Sequence, residues 1–527
     1  MAYTLERATP ESVGIMSASI LNTIEKAKTH DIDLHSLLIL RHGKLCFEGY
    51  WKPYNENSEN HLYSFSKSFT SAAIGFAVDE GLLSYDDRVC EFFPRYIESS
   101  ADQRVYSITV EHLLTMTSGA YLVNEATVNF QSDWVRYFLN TTLASFPGEK
   151  FNYNSINTYM LSAILRKVTG MGLMEYLTPR LLEPLGIKDA YWEKCPMGRE
   201  CGGWGFHIKS EDMAKFGQLL LNDGMLNGKR ILPEGWVKLA CSYHADNTTD
   251  KKYNGHPDVI AGYGYQFWVN RDGRSFRADG MLGQYALVLP ELDTVIVTTA
   301  GQMEQLVVLD LLWDDLIPEI GMIPENSPSG EDYDELVYRK QSLCIIDTES
   351  SSIPEEVRAC SGVEYIAEAN RQSFIPFMCR YTKLSRLTGV SDLKFDFTGD
   401  YSLSWTECGE TNTIPLVFDG DFHPAVISFF GNETPVSVYS RFIEDAEKPT
   451  LEIIMTLVNF PHSSHLTVSF AEGIVCVTFN ELPSFADTAK FCGDLVSIFR
   501  NISSPISKIA DKIASTTIIA AAKEENK

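Results

Sequence analysis

The chain has 527 residues, 44% of them hydrophobic and 22% charged, which is typical of folded globular domains and excludes a disordered chain. Its length indicates two or three domains. The 44 basic residues stand against 70 acidic ones, and the resulting formal net charge of −26 disfavours binding to nucleic acids or to anionic membrane surfaces.

The sequence also restricts location and chemistry. It contains no stretch of about 18 apolar residues that could span a bilayer, and its N-terminus lacks the apolar core of a signal peptide. The 11 cysteines are scattered without a Cys-x-x-Cys pair, so we expect reduced, mostly buried thiols. There is no His-Glu-x-x-His motif. We therefore expect a cytoplasmic protein that needs no metal and no cofactor.

Residues 1–323 are predicted to form a mixed α and β domain. It begins with a strand pair at 36–41 and 44–51, joined by a turn at His42 and Gly43. Apolar residues recur with helical spacing over residues 64–80, and Gly81 follows as a C-cap. The other predicted elements are helices at 110–117, 155–169, 210–222 (with Ser210 as N-cap) and 303–317, and strands at 264–270, 285–289 and 294–299.

The last third of the chain differs in composition. Residues 324–357 contain prolines, an acidic run and serines, and are predicted to form a linker. Residues 358–485 are predicted to form an all-β domain, an antiparallel sandwich or small barrel, and residues 486–527 a helical tail. The predicted strands of the β domain are 394–397, 401–405, 436–441, 450–457, 465–470 and 474–479.

The strongest chemical signal is Ser64-x-x-Lys67 at the start of the helix predicted at 64–80. This spacing places both side chains on one helical face, one turn apart. A serine hydroxyl needs an adjacent base to act as a nucleophile, and a partly desolvated lysine can take that role. Because the pattern is common by chance, and Ser68 and Ser71 lie nearby, the choice of Ser64 needs support from other segments.

Two further segments provide that support. Tyr153 follows Pro147-Gly148 in a turn just before a predicted helix, where a phenol near cationic groups can act as a general base. Gly280 lies in a predicted strand, where the lack of a side chain lets a substrate approach the backbone closely.

Taken in this order, the Ser64-x-x-Lys67, Tyr153 and Gly280-x-x-Gly283-Gln284 segments resemble the serine β-lactamase-related hydrolases. The chain is most similar to the class C-like branch, which includes esterases, D-aminopeptidases and 6-aminohexanoate-dimer hydrolase. The resemblance covers about residues 8–320 and leaves out the C-terminal third. Supporting segments are residues 112–119, 183–187, 212–217 and 263–268.

The resemblance implies both a fold and a set of roles. The fold would be an antiparallel sheet flanked by helices, in the manner of β-lactamases and transpeptidases. Ser64 would be the nucleophile that accepts the acyl group, Lys67 its proton partner, and Tyr153 the base and later the acid toward the leaving group. The backbone N–H groups of Ser64 and Met281 would form the oxyanion hole.

The chain departs from the family in two places. The family usually has Tyr-x-Asn, whereas Ser155 stands at the third position here, which puts recognition of a substrate amide in doubt. The third motif, Lys-Thr-Gly in β-lactamases, is Ala278-Asp279-Gly280 here. Asp279 would repel the carboxylate of a β-lactam or attract a substrate that bears an amine.

Other residues have a functional and an ordinary interpretation. Trp268 and Tyr121 are candidates for lining a substrate pocket, as aromatic residues commonly do, but each could equally be a packing residue. His112 and His207 invite comparison with a Ser-His-Asp triad, but no Gly-x-Ser-x-Gly elbow is present. The glycine-rich segment at 224–230 lacks the spacing of a phosphate-binding loop and is predicted to be a turn.

The sequence therefore predicts a serine hydrolase that cleaves a small ester or amide through an acyl-enzyme on Ser64, with Ser155, Trp268, Asp279, Gly280 and Tyr121 as substrate-binding candidates. A β-lactamase or D-amino-acid peptidase of the same fold is one alternative, and a non-catalytic ligand-binding homologue is another. The β domain is expected either to shape or cover the site or to mediate homo-oligomerisation.

Overall fold

The structure is a computed structural model that describes the chain except residues 1–2, 121–122, 124, 129–130, 249–254, 371, 381–387, 445, 447, 484–516 and 524–527. The chain forms two compact units. One consists of Met1–Tyr50 with Asn55–Leu343, and the other of Trp51–Tyr54 with Cys344–Lys527. Among the described residues, no helix has the length and apolar character needed to cross a membrane.

The first unit mixes helices and strands. Its helices are α1 (Ser17–Thr29), α2 (Ser66–Asp79), α3 (Val89–Phe92), α4 (Val110–Leu114), α5 (Glu125–Val128), α6 (Trp134–Leu139), α7 (Ser155–Thr169), α8 (Leu173–Leu177), α9 (Glu183–Leu185), α10 (Ser210–Leu221), α11 (Trp236–Ala240), α12 (Pro257–Ile260), α13 (Leu306–Leu311) and α14 (Glu331–Gln341). Its strands are β1 (Glu6–Arg7), β2 (Leu34–Arg41), β3 (Lys44–Tyr50), β4 (Glu59–His61), β5 (Tyr191–Trp192), β6 (Phe206–Lys209), β7 (Met225–Leu226), β8 (Lys229–Arg230), β9 (Trp268–Val269), β10 (Phe276–Gly280), β11 (Gln284–Leu289) and β12 (Thr294–Ala300).

The main sheet of this unit has the strand order β1-β3-β2-β12-β11-β10-β9. All neighbouring strands are antiparallel except β1 and β3. Residues 37–40 of β2 are fully buried, so both faces of the sheet are covered at its centre. Leu38 and Leu40 share one apolar core with Phe216 of α10, which packs against β2, β11 and β12. The antiparallel sheet flanked by helices that the resemblance implies is thus confirmed.

Most predicted elements of this unit are present, with differences that have local causes. The predicted helix at 64–80 begins as the 3₁₀ turn Tyr63–Phe65 and continues as α2, and α7 has the predicted bounds. Only β9 forms within the strand predicted at 264–270, because Gln266 has a left-handed φ of +67°. Ser210, predicted as an N-cap, is instead the first helical residue of α10.

The second unit is built on a ten-stranded antiparallel sheet with the order β16-β15-β14-β13-β22-β21-β20-β19-β18-β17. Its strands are β13 (Glu364–Ala367), β14 (Val390–Asp396), β15 (Ser402–Glu407), β16 (Glu410–Pro415), β17 (His423–Phe429), β18 (Asn432–Phe442), β19 (Thr450–Leu457), β20 (His462–Ala471), β21 (Ile474–Leu482) and β22 (Thr517–Ala522). Its described helices are the 3₁₀ helix Glu355–Cys360 and α15 (Phe377–Arg380).

The two end strands of this sheet approach each other. The side-chain amide of Asn412 in β16 donates to the carbonyl of Ser428 in β17 at 3.0 Å, and Ser428 N–H donates back to Asn412 Oδ1 at 2.6 Å. The sheet therefore curls into a nearly closed barrel around an apolar interior that includes Phe395, Trp405 and Leu466. The predicted C-terminal antiparallel β architecture is confirmed.

The structure differs from the predicted linker and tail. The stretch predicted as a linker, 324–357, contains α14, which packs against α1 through the buried Leu336 and an Arg339–Glu25 ion pair of 3.5 Å. The prediction of a helical tail at 486–527 is wrong at Thr517–Ala522, because these residues form strand β22, which pairs with both β13 and β21. The rest of that tail, residues 486–516 and 524–527, lies outside the described residues.

We predict that Gly75→Ala destabilises the first unit, although alanine raises helix propensity by about 1 kcal/mol. A Cβ at Gly75 of α2 would lie 2.4 Å from Nε1 of the buried Trp236. Overpacking of this kind costs about 1–3 kcal/mol, so the clash should outweigh the gain. Thermal unfolding of the full chain should show a lower melting temperature. The same substitution in a Trp236→Phe background should have a smaller effect, and an unchanged melting temperature for Gly75→Ala alone would contradict this packing.

Candidate active site

Ser64 lies in the 3₁₀ turn Tyr63–Phe65, which runs directly into α2. Tyr63 has a left-handed φ of +46°, which turns the chain immediately before Ser64. The Ser64 side chain is partly exposed. It also precedes the amino end of α2, where backbone N–H groups and the helix dipole favour negative charge.

Lys67 follows one helical turn later and is almost completely buried, with an exposure of 1%. Its Nζ donates to Ser64 Oγ at 2.8 Å, to Ser155 Oγ at 2.9 Å and to the carbonyl oxygen of Gly203 at 2.7 Å. An ammonium group has three N–H donors, so these oxygens match its full donor capacity. Lys67 thereby joins the turn before α2, the start of α7 and the loop before β6.

The structure distinguishes Ser64 from the neighbouring serines. Ser66 Oγ is buried and accepts a hydrogen bond from Phe206 N–H at 3.1 Å. Ser68 and Ser71 are also buried, and their hydroxyls donate to main-chain carbonyls at 2.9 and 2.7 Å. Among these four serines, Ser64 is the one that combines exposure with a hydrogen bond to Lys67.

Tyr153 lies beside Lys67. Lys67 Nζ is 4.9 Å from the centre of the Tyr153 ring, and that ring stacks on Trp268 with centroids 5.5 Å apart. The chain is extended here because the next residue, Asn154, caps α7 by accepting from Ile156 N–H. Trp268 is buried, and its ring supports the Tyr153 ring. Tyr121, the other aromatic candidate, lies outside the described residues.

Gly280 brings strand β10 against the segment that leads to Ser64. A Cβ at Gly280 would lie 2.2 Å from the carbonyl oxygen of Leu62, so any side chain would push the strand away. The predicted close approach at Gly280 is therefore to the protein's own backbone. Met281 follows directly, at the end of β10, and so lies beside the same turn.

Asp279 forms a buried ion pair with Arg277. Its carboxylate accepts from Arg277 Nε at 2.8 Å, and the two side chains are 9% and 1% exposed. The other guanidinium nitrogens donate to Asn270 Oδ1 and to the carbonyl of Asp258, both at 3.0 Å. Burial raises the pKa of the Asp279 carboxyl, and the charge of Arg277 opposes that rise.

Two features of the site were missed by reasoning from sequence. The first is the Gly203 carbonyl that binds Lys67. The sequence signal for it was the Gly202-Gly203 pair, because adjacent glycines often mark a close approach of backbone segments. In the structure, a Cβ at Gly203 would lie 2.6 Å from the Ser155 carbonyl oxygen. The second is the Arg277–Asp279 pair, which the alternation of a strand places on one face.

His112 and His207, which the sequence suggested for comparison with a catalytic triad, contact residues other than Ser64. His112 belongs to a capping box at the start of α4: its Nδ1 accepts from Thr109 N–H, and its own N–H donates to Thr109 Oγ1. Burial lowers the pKa of His112. His207 lies in β6, beside His61 and Glu193. Segment 224–230 forms a short hairpin, in which β7 and β8 pair around the turn at Asn227 and Gly228; a turn was predicted here.

Comparison with known proteins identifies a matching family model and several similar proteins. A family model described as Beta-lactamase matches residues 22–312. A 6-aminohexanoate-dimer hydrolase from Paenarthrobacter ureafaciens is 26% identical over 280 residues, which cover 50% of this chain and 71% of that protein. An uncharacterised protein from Alkalihalophilus pseudofirmus is 25% identical over 262 residues, covering 44% and 72%. A solved penicillin-binding protein homologue from Caulobacter crescentus has a TM-score of 0.47 and 16% identity, and covers 60% of this chain and 100% of that chain.

We predict that Arg277→Met destabilises the first unit by about 3–5 kcal/mol, because removal of one partner leaves a buried carboxylate unpaired. Asp279→Asn tests the pair from the other side. It keeps an oxygen that can accept from Arg277 Nε but leaves the buried guanidinium without a counter-charge, so it should destabilise the unit as well. Urea unfolding of both variants measures the difference, and equal stability of Arg277→Met and the unmodified protein would show that the pair does not form.

Proposed function

Because the chain belongs to the β-lactamase family of hydrolases, we propose that it is a serine hydrolase that cleaves a small ester or amide through an acyl-enzyme on Ser64. The observation that carries this proposal is the 2.8 Å hydrogen bond from the buried Lys67 Nζ to the partly exposed Ser64 Oγ. It couples a group that can take a proton to a hydroxyl that a substrate can reach.

In the proposed first step, Ser64 Oγ attacks the carbonyl carbon of the substrate and its proton leaves. A neutral Lys67 amine could take this proton directly while its two N–H groups still donate to Ser155 Oγ and the Gly203 carbonyl. Alternatively, a Tyr153 phenolate beside the Lys67 ammonium could take it. In either case the proton then passes to the leaving oxygen or nitrogen, and water later releases the acyl group.

The negative oxygen formed in this step needs donors. We propose the backbone N–H groups of Ser64 and Met281, because Gly280 lets β10 lie directly against the turn that carries Ser64. Ser155 would act here as a partner of Lys67, since its hydroxyl faces the amine. Trp268 would act by fixing the plane of Tyr153.

The charged groups of the site favour a neutral substrate. The alternative substrates, β-lactams and D-amino-acid peptides, carry a carboxylate that this family usually pairs with a cation. Arg277 is buried, and its three guanidinium nitrogens donate to Asp279, Asn270 and Asp258. It is therefore engaged by the protein. The resemblance to 6-aminohexanoate-dimer hydrolase supports amides as well as esters.

The alternative of a non-catalytic homologue is less well supported, because Ser64, Lys67 and Tyr153 are all present and lie together.

We further propose that the protein works in the cytoplasm. The cysteines among the described residues are free thiols, which fits a reducing compartment.

We predict that Ser64→Ala abolishes hydrolysis of short acyl esters and covalent labelling by a fluorescent fluorophosphonate, because the acyl-accepting oxygen is lost. Ser68→Ala is the matched control: its hydroxyl is buried against a main-chain carbonyl, so turnover and labelling should persist. In-gel fluorescence and a spectrophotometric esterase assay measure both. Labelling that survives in Ser64→Ala but disappears in Ser68→Ala would place the nucleophile elsewhere.

We predict a preference for uncharged acyl groups of at least about tenfold in kcat/KM, which corresponds to about 1.4 kcal/mol. The comparison is between p-nitrophenyl butyrate and the anionic half-ester p-nitrophenyl hydrogen glutarate. Turnover of nitrocefin, which carries a carboxylate, should likewise be poor. Equal or better turnover of the anionic ester would show that a cation of the site is open to substrate.

A further inference from the structure

Three side chains outside the proposed reaction meet just before the nucleophile. His61 ends β4, His207 lies directly opposite it in β6, and Glu193 follows β5. Nε2 of His61 is 3.6 Å, and Nε2 of His207 is 4.0 Å, from the same carboxylate oxygen, Glu193 Oε1. Both histidines are buried, and their ring centroids are 4.8 Å apart. The carboxylate therefore faces two imidazole rings at once.

His61 also holds the backbone of the turn that carries Ser64. Its Nδ1 accepts a hydrogen bond from Tyr63 N–H at 3.1 Å, and its ring packs edge-on against the Tyr63 ring with centroids 4.2 Å apart. Tyr63 has a φ of +46°, a left-handed conformation that aromatic L-residues disfavour. The hydrogen bond to His61 thus stabilises the strained residue that directly precedes Ser64.

These contacts fix the tautomer of His61. Because Nδ1 accepts from an N–H group, the proton of the neutral ring must be on Nε2, which points to Glu193. His207 Nδ1 lies 2.9 Å from the Tyr191 hydroxyl and 3.4 Å from the carbonyl oxygen of Glu59. Burial opposes ionisation of Glu193, yet its contacts with His207 and His61 hold the pKa of its carboxyl well below its usual range. Burial lowers the pKa of His207 to about 4, so His207 is neutral at neutral pH.

The same three residues have the composition of a His₂Glu zinc site, and their ligand atoms lie within 4.8 Å of one another. A histidine that binds a metal through Nε2, however, normally donates its Nδ1–H to an acceptor. His61 does the opposite, since Nδ1 accepts from Tyr63 N–H. Its Nε2 therefore carries a proton and has no lone pair to offer a metal. The cluster therefore fits a clamp, in which His61 holds Tyr63 N–H and Glu193 faces the Nε2–H of His61, better than a metal centre.

We propose that Glu193 and His61 are positioning residues for the Ser64 nucleophile. Glu193 orients the Nε2–H of His61, and His61 Nδ1 then holds Tyr63 N–H and the left-handed turn that directs Ser64 toward Lys67. This inference rests on the proposed function, because it assigns a role within that same reaction. It extends the site to a sheet, β4-β6-β5, that the reaction itself does not touch.

The test uses substitutions at His61 in the full chain. His61→Ala should lower kcat by about tenfold or more, because a misplaced reacting group can cost up to about 100-fold, while KM changes little. His61→Asn should recover most of this loss, since an asparagine oxygen can accept the N–H two residues on, as in an Asx-turn. Glu193→Gln should lower kcat to a value between these variants. The matched control is His42→Asn, at a half-buried surface turn paired with Asp293, which should leave kcat unchanged.

Three outcomes would overturn the proposal. One is a His61→Ala variant with unchanged kcat and unchanged fluorophosphonate labelling rate. Another is equal loss of kcat and of melting temperature in His61→Ala and His61→Asn, which would indicate a purely structural role. The third is stoichiometric Zn²⁺ binding in calorimetry that is lost in Glu193→Gln. An active Ser64→Ala variant would instead overturn the proposed function itself, so the two failures are distinguishable.

Discussion

Burial of the Lys67 amine is the constraint on which the rest of the first unit's site depends. Removal of such a polar group from water costs free energy unless nearby oxygens replace the lost hydration. Ser64, Ser155 and Gly203 supply those oxygens from three separate segments. The need to satisfy one buried amine therefore holds these segments in register, and the nucleophile is placed as part of the same arrangement.

The turn that carries Ser64 is held from two further sides. On one side, Gly280 lets the edge of the main sheet approach the Leu62 carbonyl so closely that no Cβ fits between them. On the other side, His61 accepts from Tyr63 N–H. A strained left-handed residue persists only where its surroundings determine its conformation, and Tyr63 meets this condition. Preorganisation of this kind removes the free-energy cost of orienting the hydroxyl before it reacts.

The parts of the site that could be predicted from sequence are the local ones. Ser64 and Lys67 are one helical turn apart, so helical periodicity alone predicts that they meet. Long-range pairings carry no such signal: nothing near His61 indicates that His207 lies opposite it. The same holds for β22, whose partners β13 and β21 are distant in sequence. Pairing of Arg277 with Asp279 could have been predicted from strand alternation, and it changes the expected charge of the pocket.

The most direct test of the central claim is to locate the acyl group after rapid acid quenching during ester turnover. Tandem mass spectrometry can distinguish Ser64 from Ser66, although both precede the Lys67 cleavage site within one tryptic peptide. We predict a single acyl increment on Ser64 that appears within one turnover and disappears as the ester is exhausted. An increment on Ser66 or on a residue outside this peptide, or turnover with no covalent increment, would contradict it.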